Sequence, residues 1–141
     1  MAYEIPSFFF GVLPADVDMS AQGGGENPTL QFTAVGLGAA VNTPGYGAGG
    51  AALQLPAAMV GQVIGILQNN PIVGEPGLVM VHGVSKARCH TAWAIGQLLS
   101  CDAASGGLQP AAAGQYAVAV GLEVAVAGDI SSVLLLRNGK Q

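Results

Sequence analysis

Hydrophobic positions in this chain fall into short runs separated by turn dipeptides, and the clearest run is Tyr116 to Val126. There Tyr116, Val118, Val120, Leu122, Val124 and Val126 share one parity, while Ala117, Ala119, Gly121, Glu123 and Ala125 share the other. A period of two is what a strand imposes, and here it predicts one bulky face and one nearly bare one. Ala127-Gly128-Asp129-Ile130 comes next, with Gly at the first central position of a two-residue type II′ connection, and Val133 to Leu136 reads as the return strand of a hairpin. Glu75-Pro76-Gly77 offers Pro and Gly for the centre of a type II turn, with Leu78 to Val81 behind it as a further strand. Asp102 to Gly107 supplies a loop between Leu98-Leu99 and Leu108. Pro56 to Gln68 fits a helix stripe as well as a strand. Gly61 and Gly65 would each cost a helix about 1 kcal/mol relative to Ala, and the β-branched Val60, Val63, Ile64 and Ile66 favour a pleated surface, so strand is the better reading. No fixed-period repeat is evident. Turn signals at these intervals predict an all-β fold, a small β-sandwich or barrel-like domain.

Residues 1–27 read as an extended N-terminal arm, and residues 28–141 as the β-rich body. The arm carries Phe8-Phe9-Phe10, then Asp16 and Asp18, then Gly23-Gly24-Gly25, a flexible joint. Three adjacent Phe side chains on an arm form an apolar patch, which either a partner covers or the chain's own body covers. Burying one Phe is worth roughly 2 kcal/mol, so three could offset much of the cost of ordering a short arm. Tyr3, Phe8, Phe9 and Phe10, with Trp93, are the candidate protein–protein contacts, although a lone Trp is by default a core residue.

Composition narrows the functional classes. The 141 residues are 51% hydrophobic and 9% charged, the opposite of a disordered tail. Gln62, Gln115 and Glu123 interrupt the longest apolar runs, which argues against a membrane span, and Met1-Ala2-Tyr3-Glu4 lacks the basic start of a secretory signal. Five acidic residues, Glu4, Asp16, Asp18, Glu26 and Glu75, precede the first cation, Lys86. Only four Lys and Arg are present, too few and too scattered to displace phosphate counterions, so direct nucleic-acid binding is not expected.

Candidate chemistry is thin. Gly45-Tyr46-Gly47-Ala48-Gly49-Gly50 matches the dinucleotide fingerprint, but Pro56 would cut short the helix that must succeed it, and no βαβ unit surrounds it. His82, Cys89, His90 and Cys101 are all the imidazoles and thiols, without C-x-x-C or H-x-x-x-H spacing, so no metal site is expected. Two cysteines made in a reducing cytosol are normally free thiols, with a Cys89–Cys101 disulfide as the alternative. Ser85-Lys86 lacks a nucleophile-elbow context, and Asp16 and Asp18 lie where no rigid shell is expected to hold them. No catalytic residue and no cofactor are expected, and the chain reads as non-enzymatic.

A series of weak patterns carries a resemblance. It runs from Val63-Ile64-Gly65-Ile66-Leu67-Gln68 through Gly74-Glu75-Pro76, His82-Gly83-Val84, Trp93-Ala94-Ile95-Gly96-Gln97 and Asp102 to Gly107. It continues with Val120-Gly121-Leu122-Glu123, Gly128-Asp129 and Val133-Leu134-Leu135. In order and spacing, over roughly residues 28 to 137, this resembles the capsid cement, or head decoration, proteins of tailed bacteriophages. The resemblance implies a small β-rich protein without enzymatic activity. It implies self-association, commonly as a homotrimer, and binding to the major capsid protein on the outer surface of the expanded head, after synthesis in the host cytoplasm. A head-fibre base or tail protein is the alternative of the same class, and a monomeric ligand-binding β-barrel a more distant one. The bare Ala and Gly face of Tyr116 to Val126 would let another sheet approach closely.

Overall fold

A computed structural model of the chain describes residues 8–10, 13–16, 18–20, 29–39, 51–54 and 63–136. Every regular element among them is a strand: β1 (Phe8–Phe10), β2 (Ala34–Ala39), β3 (Ala51–Gln54), β4 (Val63–Leu67), β5 (Val79–Arg88), β6 (Leu98–Cys101), β7 (Leu108–Pro110), β8 (Ala119–Gly121) and β9 (Ile130–Leu135). The fold is all-β, and Val63 to Leu67 is a strand, as its β-branched residues predict. The strands take the order β3-β2-β4-β5-β9-β8-β6-β7, with β1 added on β5. The path curls back on itself. Leu108 of β7 meets Cys89, just beyond β5, in a parallel bridge, and the His90 N–H donates to the Leu108 carbonyl at 2.7 Å. The result is a nearly closed, barrel-like sheet.

The ten-residue strand β5 joins two sub-sheets. Its first residues pair with β4 (Met80 with Ile66, Val79 with Leu67) and with β1 (His82 with Phe8), whereas Gly83 to Arg88 pair with β9. At the hand-over sits Gly83, with φ at +95°, a conformation that side-chain-bearing residues rarely adopt.

Around this junction the sheet is buried on both faces. Ala34, Ile66 and Met80 lie side by side and face the barrel interior with Trp93, Leu99 and Leu108. Their neighbours Val35, Leu67 and Val79 point the other way, into a second core with Ala15, Met19 and Leu30. Strands covered on both sides read as continuous apolar runs, which is why Val63 to Leu67 shows no alternation. At Gly65 a Cβ would collide with the Met80 carbonyl oxygen, so β4 and β5 need glycine there to approach.

The N-terminal segment supplies the cover for that second core. Pro14 bridges Pro76, the Ala15 N–H donates to the Glu75 carbonyl (2.9 Å) and the Met19 N–H to the Pro71 carbonyl (2.9 Å). Asp16, expected on an arm without a rigid shell, is instead 2% exposed.

Three local expectations need correction. The run Tyr116 to Val126 is not one strand: β8 ends at Gly121, and Ala125 bridges Trp93 instead of continuing beside β9. β8 and β9 do form an antiparallel pair, joined by residues 122–129. The turn there spans Val126 to Asp129 with Gly128 (φ +94°) at its second central position, so it is type II and not type II′. Before β5 the turn is likewise Ile72 to Glu75 with Gly74 (φ +86°) as the left-handed residue, and not a Pro76-Gly77 turn.

Met19 is fully buried, so Met19→Ala should lower the unfolding free energy by about 2–5 kcal/mol in urea titrations. A loss below about 0.5 kcal/mol, the range of surface substitutions, would remove the N-terminal segment from the core.

Candidate functional site

The residues singled out from sequence are scattered. Trp93 is 3% exposed, in the barrel core, with its Nε1–H donating to the Glu123 carbonyl at 2.9 Å. Phe8, Phe9 and Phe10 form β1 along β5, and Tyr3 lies outside the described residues. Gly45 to Gly50 also lie outside them. The element directly after that glycine run is the strand β3, pairing back onto β2, where a phosphate-binding loop would open a helix.

One polar cluster brings together residues that the sequence kept apart. The Ser105 hydroxyl donates to Asp102 Oδ2 at 2.7 Å, lies 3.3 Å from His90 Nδ1, and accepts from the Gly107 N–H at 3.2 Å. The order is wrong for nucleophilic catalysis, which needs the imidazole between hydroxyl and carboxylate. Here the hydroxyl stands between the other two and clips the Asp102–Gly107 loop. Burial raises the Asp102 pKa, but the Ser105 hydroxyl and N–H, the His90 charge and the Ala104 N–H outweigh it, and the net shift is downward.

The other nucleophile candidates are equally committed. Ser85 donates to the Lys86 carbonyl (2.9 Å) and accepts from Gln68 Nε2 (3.0 Å). Cys89 and Cys101 are free thiols, and burial together with the Asp129 charge pushes the Cys89 thiol up to about 11, far from the reactive thiolate range. Among the described residues no three His, Cys, Asp or Glu side chains gather to hold a metal ion.

The surface offers something different. Tyr116 to Val126 keeps its period of two but faces the opposite way from a simple apolar-in strand. Ala117, Ala119, Gly121 and Ala125 are buried, while Tyr116, Leu122, Val124 and Val126 are exposed. Trp93 decides this: a Cβ at Gly121 would lie 2.7 Å from its Cδ1 and 2.8 Å from its Nε1, so only small residues fit beneath the indole. The bare face that seemed open to a second sheet is therefore filled from within. Outside, Val124 (67% exposed), Val126 (57%) and Leu122, with Ile95 (68%) from the facing segment, form an apolar cap. They are held together by the Trp93–Ala125 bridge, which sets the exposed Ala92 and Ala94 opposite Val126 and Val124. Together these four large side chains expose roughly 400 Å², the size of the largest apolar patch on a typical monomer, and such patches are often functional.

Backbone polar groups at the cap are satisfied locally. A type II turn with glycine at its second central position recurs at Ile72–Glu75, Ala94–Gln97, Ala112–Gln115 and Val126–Asp129. In each, the fourth residue's N–H donates to the first residue's carbonyl, at 3.0, 3.2, 3.0 and 3.1 Å. Its side-chain oxygen accepts from the first residue's N–H, at 3.2, 3.0, 3.0 and 3.2 Å. The signal in the sequence was Gly and then Glu, Gln or Asp; unequal spacing hid it from a search for fixed periods.

Two of these turns are symmetry mates. Ladder pair Arg88–Ile130 maps onto Val120–Leu98 by moving 32 residues forward on one strand and 32 back on the other, and Ala87–Ser131 maps onto Ala119–Leu99 in the same way. The bonds obey the same mapping: Gly96 N–H to the Gly121 carbonyl (2.8 Å) corresponds to Gly128 N–H to the Cys89 carbonyl (2.9 Å). Residues 87–100 and 119–132 are thus related by a local twofold whose axis passes through the Trp93–Ala125 pair, under the cap.

No protein-family profile matches the chain, and no curated protein sequence does. Among solved structures, the N base of the head fibre protein gp8.5 of bacteriophage phi29 is similar, with a TM-score of 0.50 over 96% of this chain and 98% of that one. The two are 10% identical. What they share is the fold.

The Glu123 carboxylate accepts from the Ser132 N–H and the Ser131 hydroxyl, both at 3.2 Å, and the Ser132 bond first, then the Ser131 bond, lower its pKa. A carboxylate depressed in the folded state contributes stability above an ordinary Glu pKa of about 4.3, and loses it as pH falls through the folded value. Glu123→Gln should therefore lower the neutral plateau of a stability–pH curve slightly and flatten part of the acid limb, so that the two curves converge at low pH. An unchanged acid limb would show that this carboxylate takes no share in it.

Proposed function

We propose that the chain is a non-enzymatic structural component of a tailed-phage virion. It works as a cement, or decoration, protein, self-associating as a homotrimer on the outer surface of the head and binding the major capsid protein. The observation that carries this reading is the fold likeness to a phage head-fibre base over nearly the whole of both chains. The capsid-cement resemblance of residues 28 to 137 points to the same class. The barrel interior, occupied by Trp93, Leu99, Leu108 and Leu135, favours it over a ligand-enclosing barrel.

The physical mechanism is linkage. A protein that binds the assembled lattice and not the free subunits shifts the equilibrium toward the shell. An apolar contact of a few hundred Å² gains little beyond the cost of association, because buried area converts poorly into affinity between proteins. One such contact holds weakly. Several copies joined in an oligomer and seated on a repeating surface hold strongly, because each later contact is made at high effective concentration.

A head-fibre base is the second reading, favoured by the same structural likeness. Image reconstruction of the particle separates the two, since a fibre base carries a projecting stalk and a cement protein does not. Heating heads with and without the bound protein tests the stabilising role. DNA release at a higher temperature when the protein is present is expected, and identical release temperatures would refute cementing.

A further inference from the structure

We propose that the cap formed by Ile95, Leu122, Val124 and Val126 is the surface that meets the shell. Its occupant is an apolar, basic-rimmed surface of the shell protein and not a second copy of this chain. The proposal rests on the virion reading above and goes further by assigning its contact face. Three observations carry it. The cap is preformed: the side-chain oxygens of Gln97 and Asp129 close its two turns, Glu123 binds β9, and the Trp93–Ala125 bridge pins the two segments together. Docking therefore buries apolar side chains without stranding those polar groups.

The second observation is area. A stable, specific pair buries about 800 Å² on each partner, roughly twice what the cap exposes, so two copies meeting here alone would fall short of a lasting dimer. One contact among several on a lattice does not need that much.

The third is charge. Glu123 and Asp129 bracket the exposed valines on their own segment, and the nearest cation by register, Arg88 opposite Ile130, is half-buried and donates to the Gln31 carbonyl at 3.3 Å. Two copies meeting through this face would bring four carboxylates, Glu123 and Asp129 from each, into one interface. A neutral or basic surface meets no such opposition.

The test uses the full chain and heads stripped of it. Val124→Glu places a charge in the cap at a position so exposed that the fold should not register it, and Val84→Glu does the same on β5, outside the cap. Wild-type protein and Val84→Glu are expected to refill the stripped heads. Val124→Glu should need at least ten times the concentration, with unchanged melting temperature and unchanged mass by light scattering. Refilling by Val124→Glu at the wild-type concentration would overturn the assignment. So would equal loss of binding by Val84→Glu, or a fall in mass for Val124→Glu, which would make the cap a self-contact. Wild-type protein that never binds heads would instead sink the virion reading itself.

Discussion

Strand β5 is the constraint on which the rest of this molecule depends. It must serve β4 and β1 along its first half and β9 along its second, and it changes partners at Gly83 in a left-handed conformation. A residue with a Cβ at that point would strain the backbone where two sub-sheets share it. Because β5 is continuous, the wall of the barrel is also the floor of the second core. The N-terminal segment, β2 and β4 are therefore organised by the same ten residues that carry β9 and, through β9, the cap.

Much of the fold was legible from the residues. β-Branched propensity located β4, turn punctuation the start of β5 and alternation the β8–β9 pair, because these signals are local physics, whereas Leu98-Leu99 and Leu108, read only as the flanks of a loop, prove to lie in β6 and β7. The direction in which a strand faces is not local. Tyr116 to Val126 announces two faces of unequal bulk, but which one turns inward is decided by an indole at Trp93, distant in sequence, that leaves no room beneath it. The type II turns were missed for a related reason. Pro76-Gly77 and Gly128-Asp129 each suit more than one register, and the closing bond from a side-chain oxygen back to an N–H three residues earlier, which selects the register, is a three-dimensional fact.

The candidate site was legible only in outline. Aromatic residues drew attention as contacts, yet Trp93 buries its area inside the barrel, and the exposed apolar surface is built from valine, leucine and isoleucine that any sequence reading assigns to a core. The Ser105 cluster likewise depended on a loop folding to bring Asp102 under His90. Its ordering, hydroxyl in the middle, makes it a fastening for the loop. The 10% identity with the phi29 fibre base obeys the same logic: the folds are similar although about nine aligned residues in ten differ.

The two glycine turns that frame the cap, at Gly96 and Gly128, and the cap itself stand in opposite relation to sequence drift. A turn glycine with φ between +78° and +94° admits almost no replacement, so the frame around the cap is nearly frozen. Ile95, Val124 and Val126, out in solvent above that frame, contribute little to folding and are free to vary. On the proposed cement reading, a coat that changes its own surface is tracked, residue for residue, by a protein that never has to refold differently to keep hold of it.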